Sequence, residues 1–250
     1  MAKLIGVGVG PGDPDLLTTR AVRVLRAADR VVAPSVAVDA VGRAESAVRQ
    51  AVPDVRIERL VFDMSGAHSY PQSAAALLPW LDADETVAFV TLGDPNIYST
   101  FSSLAAAVRT RRPSVIIETV PGIMAFQDLA SRSGTVVLDG AESLALVTAL
   151  DGPRHVVDAL ADPARAVVVY KGGRHLPAVA KALADAGRLD GAIFGELLGL
   201  PGERVLPVAE AADQPATYLA TVIVPPAGTR PKESSASPAD AEPSDEGGRA

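Results

Sequence analysis

The sequence predicts an α/β protein of two α/β domains, the N-terminal one on a mainly parallel sheet and the C-terminal one on a mixed sheet. Three observations carry this. Through the first 120 residues short apolar runs alternate with amphipathic stretches, the β-α-β succession that builds a parallel sheet. After Pro121-Gly122 the texture changes and strands outnumber helices. Residues 227–250 hold almost no large apolar side chain, so they cannot offset their ordering entropy and are expected to form a disordered acidic tail. The expected division is 1–120, 121–226 and 227–250.

Taken in order, residues 4–9 form a short apolar run leading into Gly10, a buried strand. Asp13-Pro14 reads as an N-cap followed by proline at the first helical position. Leu17, Ala21, Val24, Leu25 and Ala28 then give that helix one apolar face. Further strands are expected at 30–33, 55–60, 86–92 and 115–120, with helices near 41–51, 72–81 and 100–111 between them. Pro79 stands against a regular last turn in the middle helix. In the second half a short helix at 123–131 precedes strands at 143–150, 166–170, 192–196, 204–208 and 218–224, mixed with two helices.

Composition removes several chemistries. No apolar run approaches the roughly 18 residues that a membrane span needs. The start lacks the hydrophobic stretch and cleavage site of a signal peptide, so a cytoplasmic chain with no membrane partner is expected. With no cysteine, the protein has no disulfide scaffold, no thiolate metal site and no cysteine nucleophile. His68, His155 and His175 are too scattered for a zinc cluster, and no protein-bound metal is expected. A net charge of −7 and only 4% aromatic residues argue against nucleic acid as a partner.

Three loops carry the chemistry. The first, Gly6–Thr18, places glycines where a ligand can approach the backbone without a Cβ in the way. Its spacing is not that of a dinucleotide fold: Gly-x-Gly-x-x-Gly would need glycine at Pro11 or at Asp13. No Gly-Lys-Ser/Thr follows, which excludes the P-loop. The residues fit either a tight turn or a ligand surface. The second loop, Thr91–Thr100, contains Gly93-Asp94-Pro95 at a strand's carboxyl end, where ligands bind in open α/β sheets. It is also a common turn. The third, Val120–Gln127, opens a helix whose free amides could meet a ligand, or it serves as a domain hinge.

In this order and spacing the three loops resemble those of the tetrapyrrole methylases, the class III S-adenosylmethionine-dependent methyltransferases. Gly10–Asp13 running into Asp15-Leu16-Leu17-Thr18, Gly93–Pro95 and Pro121–Ile123 carry the resemblance, with Val167–Arg174 as a later strand and glycine turn. It spans residues 4–224. Leu92–Phe101, Phe126-Gln127 and Tyr170–Arg174 are most similar to the branch that methylates C20 of a precorrin; the uroporphyrinogen branch has a double-glycine turn instead. Met124 departs from the family's Thr or Ser.

The resemblance implies that S-adenosyl-L-methionine binds in the cleft between the domains, against Pro11, Gly93, Asp94, Ile97, Met124, Ala125, Lys171 and Thr221. It implies a small-molecule tetrapyrrole substrate and a homodimer. That substrate is a polycarboxylate, for which Arg20, Arg132, Lys171, Arg174 and His175 are candidate partners. Asp13, Asp94 and Tyr98 flank the cleft and are candidates for accepting the proton released on methylation. Another methylase of the same family, or a protein that binds the cofactor or a tetrapyrrole without turnover, fits the same residues.

Overall fold

The computed structural model describes residues 1–37, 39–62, 69–213 and 216–228, with Ser69 described for its backbone alone. The expected tail from 229 onward and His68 lie outside these residues. In the first half, strands β1 (Lys3–Gly8), β2 (Arg30–Ser35), β3 (Ile57–Val61), β4 (Thr86–Thr91) and β5 (Ile116–Val120) form a sheet in the order β3-β2-β4-β1-β5. Every pairing in it is parallel. The connections are α1 (Thr19–Ala27), α2 (Arg43–Ala51), α3 (Ser69–Asp82) and α4 (Thr100–Arg111).

Strand residues alternate between two buried faces. Ile5, Val7, Ala88 and Val90 pack with Ala21 and Leu25 of α1 and Ala44 and Val48 of α2. Leu4, Val87 and Phe89 pack with Leu77 and Leu81 of α3 and Phe101, Leu104 and Val108 of α4. Helices on both faces explain why these strands read as nearly unbroken apolar runs. The central position of β1 opens its carboxyl end beside those of β4 and β5, the edge at which this architecture binds ligands.

In the second half, α5 (Ala125–Ser133) leads to β6 (Ser143–Thr148), α6 (Arg154–Leu160), β7 (Arg165–Tyr170), α7 (Leu176–Asp185), β8 (Ile193–Glu196), β9 (Arg204–Pro207), α8 (Val208–Ala211) and β10 (Thr221–Val224). The sheet order is β6-β7-β10-β8-β9, with β6 and β7 parallel and the other pairs antiparallel. One face buries Val156, Val179, Leu183 and Val208 from α6, α7 and α8. The other packs on α5 through Leu129, Val168 and Ile223. The chain therefore has the two α/β sheets expected, one parallel and one mixed.

Four local expectations shift. Asp13 caps a 3-10 turn, Pro14–Leu16, and the helix proper starts later, with Thr18 Oγ1 accepting the Ala21 N–H at 3.1 Å. Pro79 sits inside α3, which runs on to Asp82. The bond it forfeits, about 3 kcal/mol in a helix interior, is offset by Leu77 and Leu81, both fully buried, each contributing about 1.5–3 kcal/mol. The 123–131 helix starts at Ala125, because Gln127 Oε1 reaches back to the Met124 N–H at 2.8 Å. The last strand begins at Thr221; residues before it form a turn closed by Ala220 N–H to Thr217 O at 3.1 Å.

One buried charge in the first half is held from two sides. Glu45 of α2 is fully buried, 2.7 Å from both Arg49 Nη2 and Arg59 Nε. Burial alone would push its pKa up, but the hydrogen bonds and charges of Arg59 and Arg49 outweigh burial and hold it below the ordinary carboxylate value. A depressed folded pKa stabilises the fold at neutral pH, and that stability is lost as pH falls through the folded value. Glu45→Gln is expected to lower Tm at pH 7, with the gap from the parent closing below about pH 4, the range of free carboxylates. Calorimetry across that range measures it; equal Tm at pH 7 would contradict the role.

Candidate functional site

The loops following β1, β4 and β5 converge on a glycine junction. Gly93 N–H donates to Gly10 O at 2.9 Å, joining the first glycine loop to the Gly-Asp-Pro turn. A Cβ on Gly8 would stand 2.5 Å from Gly93 O and 2.6 Å from Gly122 N. A Cβ on Gly122 would overlap Gly93 O and lie 2.8 Å from Gly8 Cα. Three backbones thus touch where no side chain fits, which is the reason for glycine at both positions. Asp94 ties the junction: its Oδ1 accepts the Asn96 N–H at 2.8 Å and its Oδ2 the Gly122 N–H at 3.2 Å. Gly93 itself has φ +65°, and nothing lies within 4 Å of where its Cβ would stand.

Beside this junction opens a cleft of about 530 Å³ between the two sheets. From the first half it is lined by Pro11, by Thr91–Gly93 and Ile97–Thr100, and by Pro34, Val36, Arg43 and Ala44. The second half adds Met124, Ala125, Tyr170, Lys171, the leucines 197, 198 and 200, and Tyr218–Thr221. Among the described residues the lining contains two cations, Arg43 and Lys171, and no carboxylate.

Three non-glycine residues of the lining, Tyr98, Lys171 and Leu197, have φ of +49°, +58° and +55°. Such strain costs of order 1–3 kcal/mol per residue and gathers at functional sites. Tyr98 and Lys171 hold each other. Lys171 Nζ donates to Tyr98 O at 3.2 Å and stands 5.8 and 5.7 Å from the ring centroids of Tyr98 and Tyr218. The Tyr98 hydroxyl donates to Leu146 O at 2.9 Å, across to the second sheet. Tyr170 Oη accepts the Phe126 N–H at 3.1 Å, satisfying an orphan donor in the first turn of α5. Burial pushes the Tyr170 phenol well above its ordinary pKa against the opposing effect of that bond, so it remains a neutral hydroxyl.

Of the residues named from the sequence for the cofactor, the structure brings Pro11, Gly93, Ile97, Met124, Ala125, Lys171 and Thr221 to the lining. Asp94 stands behind it as a tie between turns. Asp13 is also outside: one carboxylate oxygen caps the 3-10 turn and the other faces Arg132 Nη2 at 3.3 Å. Arg132 is engaged by three carboxylates, with Asp128 at 2.8 Å and Glu203 at 3.0 Å besides Asp13. Arg20 lies exposed in the first turn of α1, and Arg174 and His175 lie in a 3-10 turn beyond the lining. His175 Nε2 is 3.2 Å from Leu150 O. Thus none of Arg20, Arg132, Arg174 and His175 is in the cleft wall. Sequence reasoning passed over Pro34, Arg43, Tyr170, Leu198 and Tyr218. The carboxyl-end rule could have found Pro34, the next-to-last residue of β2, whereas the leucines and Tyr218 arrive through non-local folding.

No group of three or more histidine, aspartate or glutamate side chains that could hold a metal ion occurs among the described residues. Nor is any helix there long and apolar enough to cross a membrane. Comparison with known proteins matches residues 3–212 to the sequence model of the tetrapyrrole (corrin/porphyrin) methylases. A protein named precorrin-2 C(20)-methyltransferase from Sinorhizobium sp is 34% identical, over 92% of this chain and 98% of its own length. The cobalt-precorrin-2 C(20)-methyltransferase of Salmonella typhimurium is 30% identical, over 89% of this chain and 95% of its own. Among solved structures, the cobalamin-synthesis-related protein CobF of Corynebacterium diphtheriae superposes with a TM-score of 0.71 at 22% identity, covering 90% of this chain and 98% of that one. At that identity the likeness concerns the fold alone.

Proposed function

The chain belongs to the tetrapyrrole methylase family, and on that premise we propose that it is an S-adenosylmethionine-dependent C-methyltransferase that converts precorrin-2 to precorrin-3A by methylating C20 in cobalamin biosynthesis. The observation that carries this reading is the similarity to two C20-methyltransferases along 98% and 95% of their own lengths. The cleft supports it. Gly93, with φ +65° and open space at its Cβ position, leaves a bare backbone surface for a ligand. Met124 and Leu198, both buried, give the cleft an apolar wall, and Thr91, Ser99 and Thr221 add a few hydrogen-bonding groups, a lining suited to a nucleoside joined to an amino acid.

When bound, S-adenosylmethionine supplies a methyl group on a positively charged sulfur, open to in-line displacement by an electron-rich ring carbon. The chain's own part is orientation. Pro11, Gly93 and Ile97 hold one side of the cleft and Met124, Ala125, Lys171 and Thr221 the other, and fixing two reactants in line can supply about 7–11 kcal/mol of the barrier. No side-chain nucleophile is required, because the ring carbon is itself the nucleophile; it displaces the sulfur as the neutral thioether, and the C20 proton passes to water. Asp13 and Asp94 serve turns in this reading, and Tyr98 shapes the rim. A homodimer working in the cytoplasm belongs to the same proposal and is supported by the family resemblance; light scattering of the purified protein measures the first.

The test is anaerobic incubation with precorrin-2 and S-adenosylmethionine carrying a ¹³C methyl. One added methyl by mass, with the label at C20 by NMR, is the expected result. Label at another carbon would reassign the position, and bound cofactor with no transfer would sink the enzyme reading. Cobalt-precorrin-2 is run in parallel, because the Salmonella protein that takes it in name is 30% identical.

A further inference from the structure

Among the described residues, Arg43 is the one charged side chain of the cleft wall that has neither an ion-pair nor a hydrogen-bond partner. We propose that it anchors a peripheral carboxylate of the tetrapyrrole, fixing which edge of the ring enters the cleft; this rests on the substrate class proposed above.

The surroundings of Arg43 point that way. It is exposed, lines the cleft, and has no ion-pair partner among the described residues. Arg30 is held by Glu58 and Glu85, and Arg49 and Arg59 by Glu45, whereas Arg43 alone among the described arginines lines the cleft. Glu45, two residues on from Arg43, is fully buried and already doubly held, so it leaves Arg43 free. Arg43 is also the first residue of α2, a nine-residue helix whose N-cap, Gly42, offers no side-chain acceptor. A cation at that end opposes the helix dipole and is not there for the helix's stability.

Its position is held rigidly. A Cβ on Gly42 would stand 2.6 Å from Pro34 O, so the start of α2 is pressed directly against the exit of β2. Pro34 and Val36 of that exit line the same cleft as Arg43. The other cation of the lining, Lys171, already donates to Tyr98 O and sits against two tyrosine rings. A planar guanidinium on a fixed Cα, with no carboxylate beside it in the cleft, is built for bidentate capture of a carboxylate.

The experiment compares wild type with Arg43→Gln and Arg43→Lys. Arg43→Gln is expected to raise KM for precorrin-2 about tenfold, the loss of one charged hydrogen-bonded contact, while kcat changes much less. Arg43→Lys should recover part of that, and the affinity for S-adenosylhomocysteine should be the same in all three proteins. Arg109→Gln, at an exposed position outside the cleft, is the control for charge removal. The same variants are titrated with uroporphyrin, a stable octacarboxylate, by fluorescence. Active variants with wild-type KM and uroporphyrin affinity would overturn the inference alone. Arg43-dependent uroporphyrin binding without methyl transfer by wild type would uphold the anchor and overturn the proposed reaction.

Discussion

The Gly122→Ala protein is expected to bind S-adenosylhomocysteine about 10- to 100-fold more weakly than the parent, the equivalent of about 1–3 kcal/mol of overpacking. The added methyl would overlap Gly93 O and meet Gly8 C and Cα at 2.8 Å. None of those atoms belongs to a side chain that could swing aside. Relief requires the Gly93 turn to lift from the exit of β1, which breaks the Gly122 N–H bond to Asp94 Oδ2 and deforms the surface assigned to the cofactor. Asp94→Ala removes that tie without the clash, so a smaller loss of about tenfold is expected. Gly140→Ala is the control: at φ +56° with nothing within 4 Å, it should lower stability by about 1 kcal/mol and leave affinity unchanged. Isothermal titration reads all three. Parental affinity in Gly122→Ala would remove the junction from the cofactor site.

Glu196→Ala is expected to cost about 3 kcal/mol, which for a chain of this size is about 6–12 °C in Tm. Glu196 is buried, with Arg204 Nε 2.6 Å from Oε1 and the Thr217 N–H donating to Oε2 at 2.6 Å. Alanine leaves a backbone donor without its partner and removes the carboxylate that meets Arg204 over the ring of Phe194. It also frees the turn that carries Tyr218, one of the two rings around Lys171, so cofactor affinity should fall together with stability. Glu196→Gln keeps an acceptor for Thr217 and should lose less. Thermal melts with and without S-adenosylhomocysteine separate the two effects; a Tm within 2 °C of the parent would contradict the assignment, given the 2–4 °C that each kcal/mol moves a domain of this size.

What the sequence reveals and what it hides divides along locality. Strand and helix periodicities are local, so the alternation through residues 1–120 points directly to the parallel sheet later seen as β3-β2-β4-β1-β5. Glycine spacing is local too, and it singles out the three loops that the fold then brings together at Gly8, Gly93 and Gly122. Charge partnerships are another matter. Arg132 reads as a free guanidinium until the fold sets it against Asp13, 119 residues away. Arg43 carries no signal in the sequence, and only the placing of α2 beside the exit of β2 brings it to the cleft. The left-handed conformations of Tyr98 and Lys171 leave no trace in residue type, since neither is glycine or asparagine. Tertiary bonds impose them.

Those bonds have a mechanical meaning. Tyr98 grips the second sheet twice, through its hydroxyl on Leu146 and through its carbonyl under the Lys171 ammonium. Both grips issue from a single residue whose backbone is itself cocked. The two halves are therefore pinned to each other at one residue of the cleft rim, once by its side chain and once by its backbone.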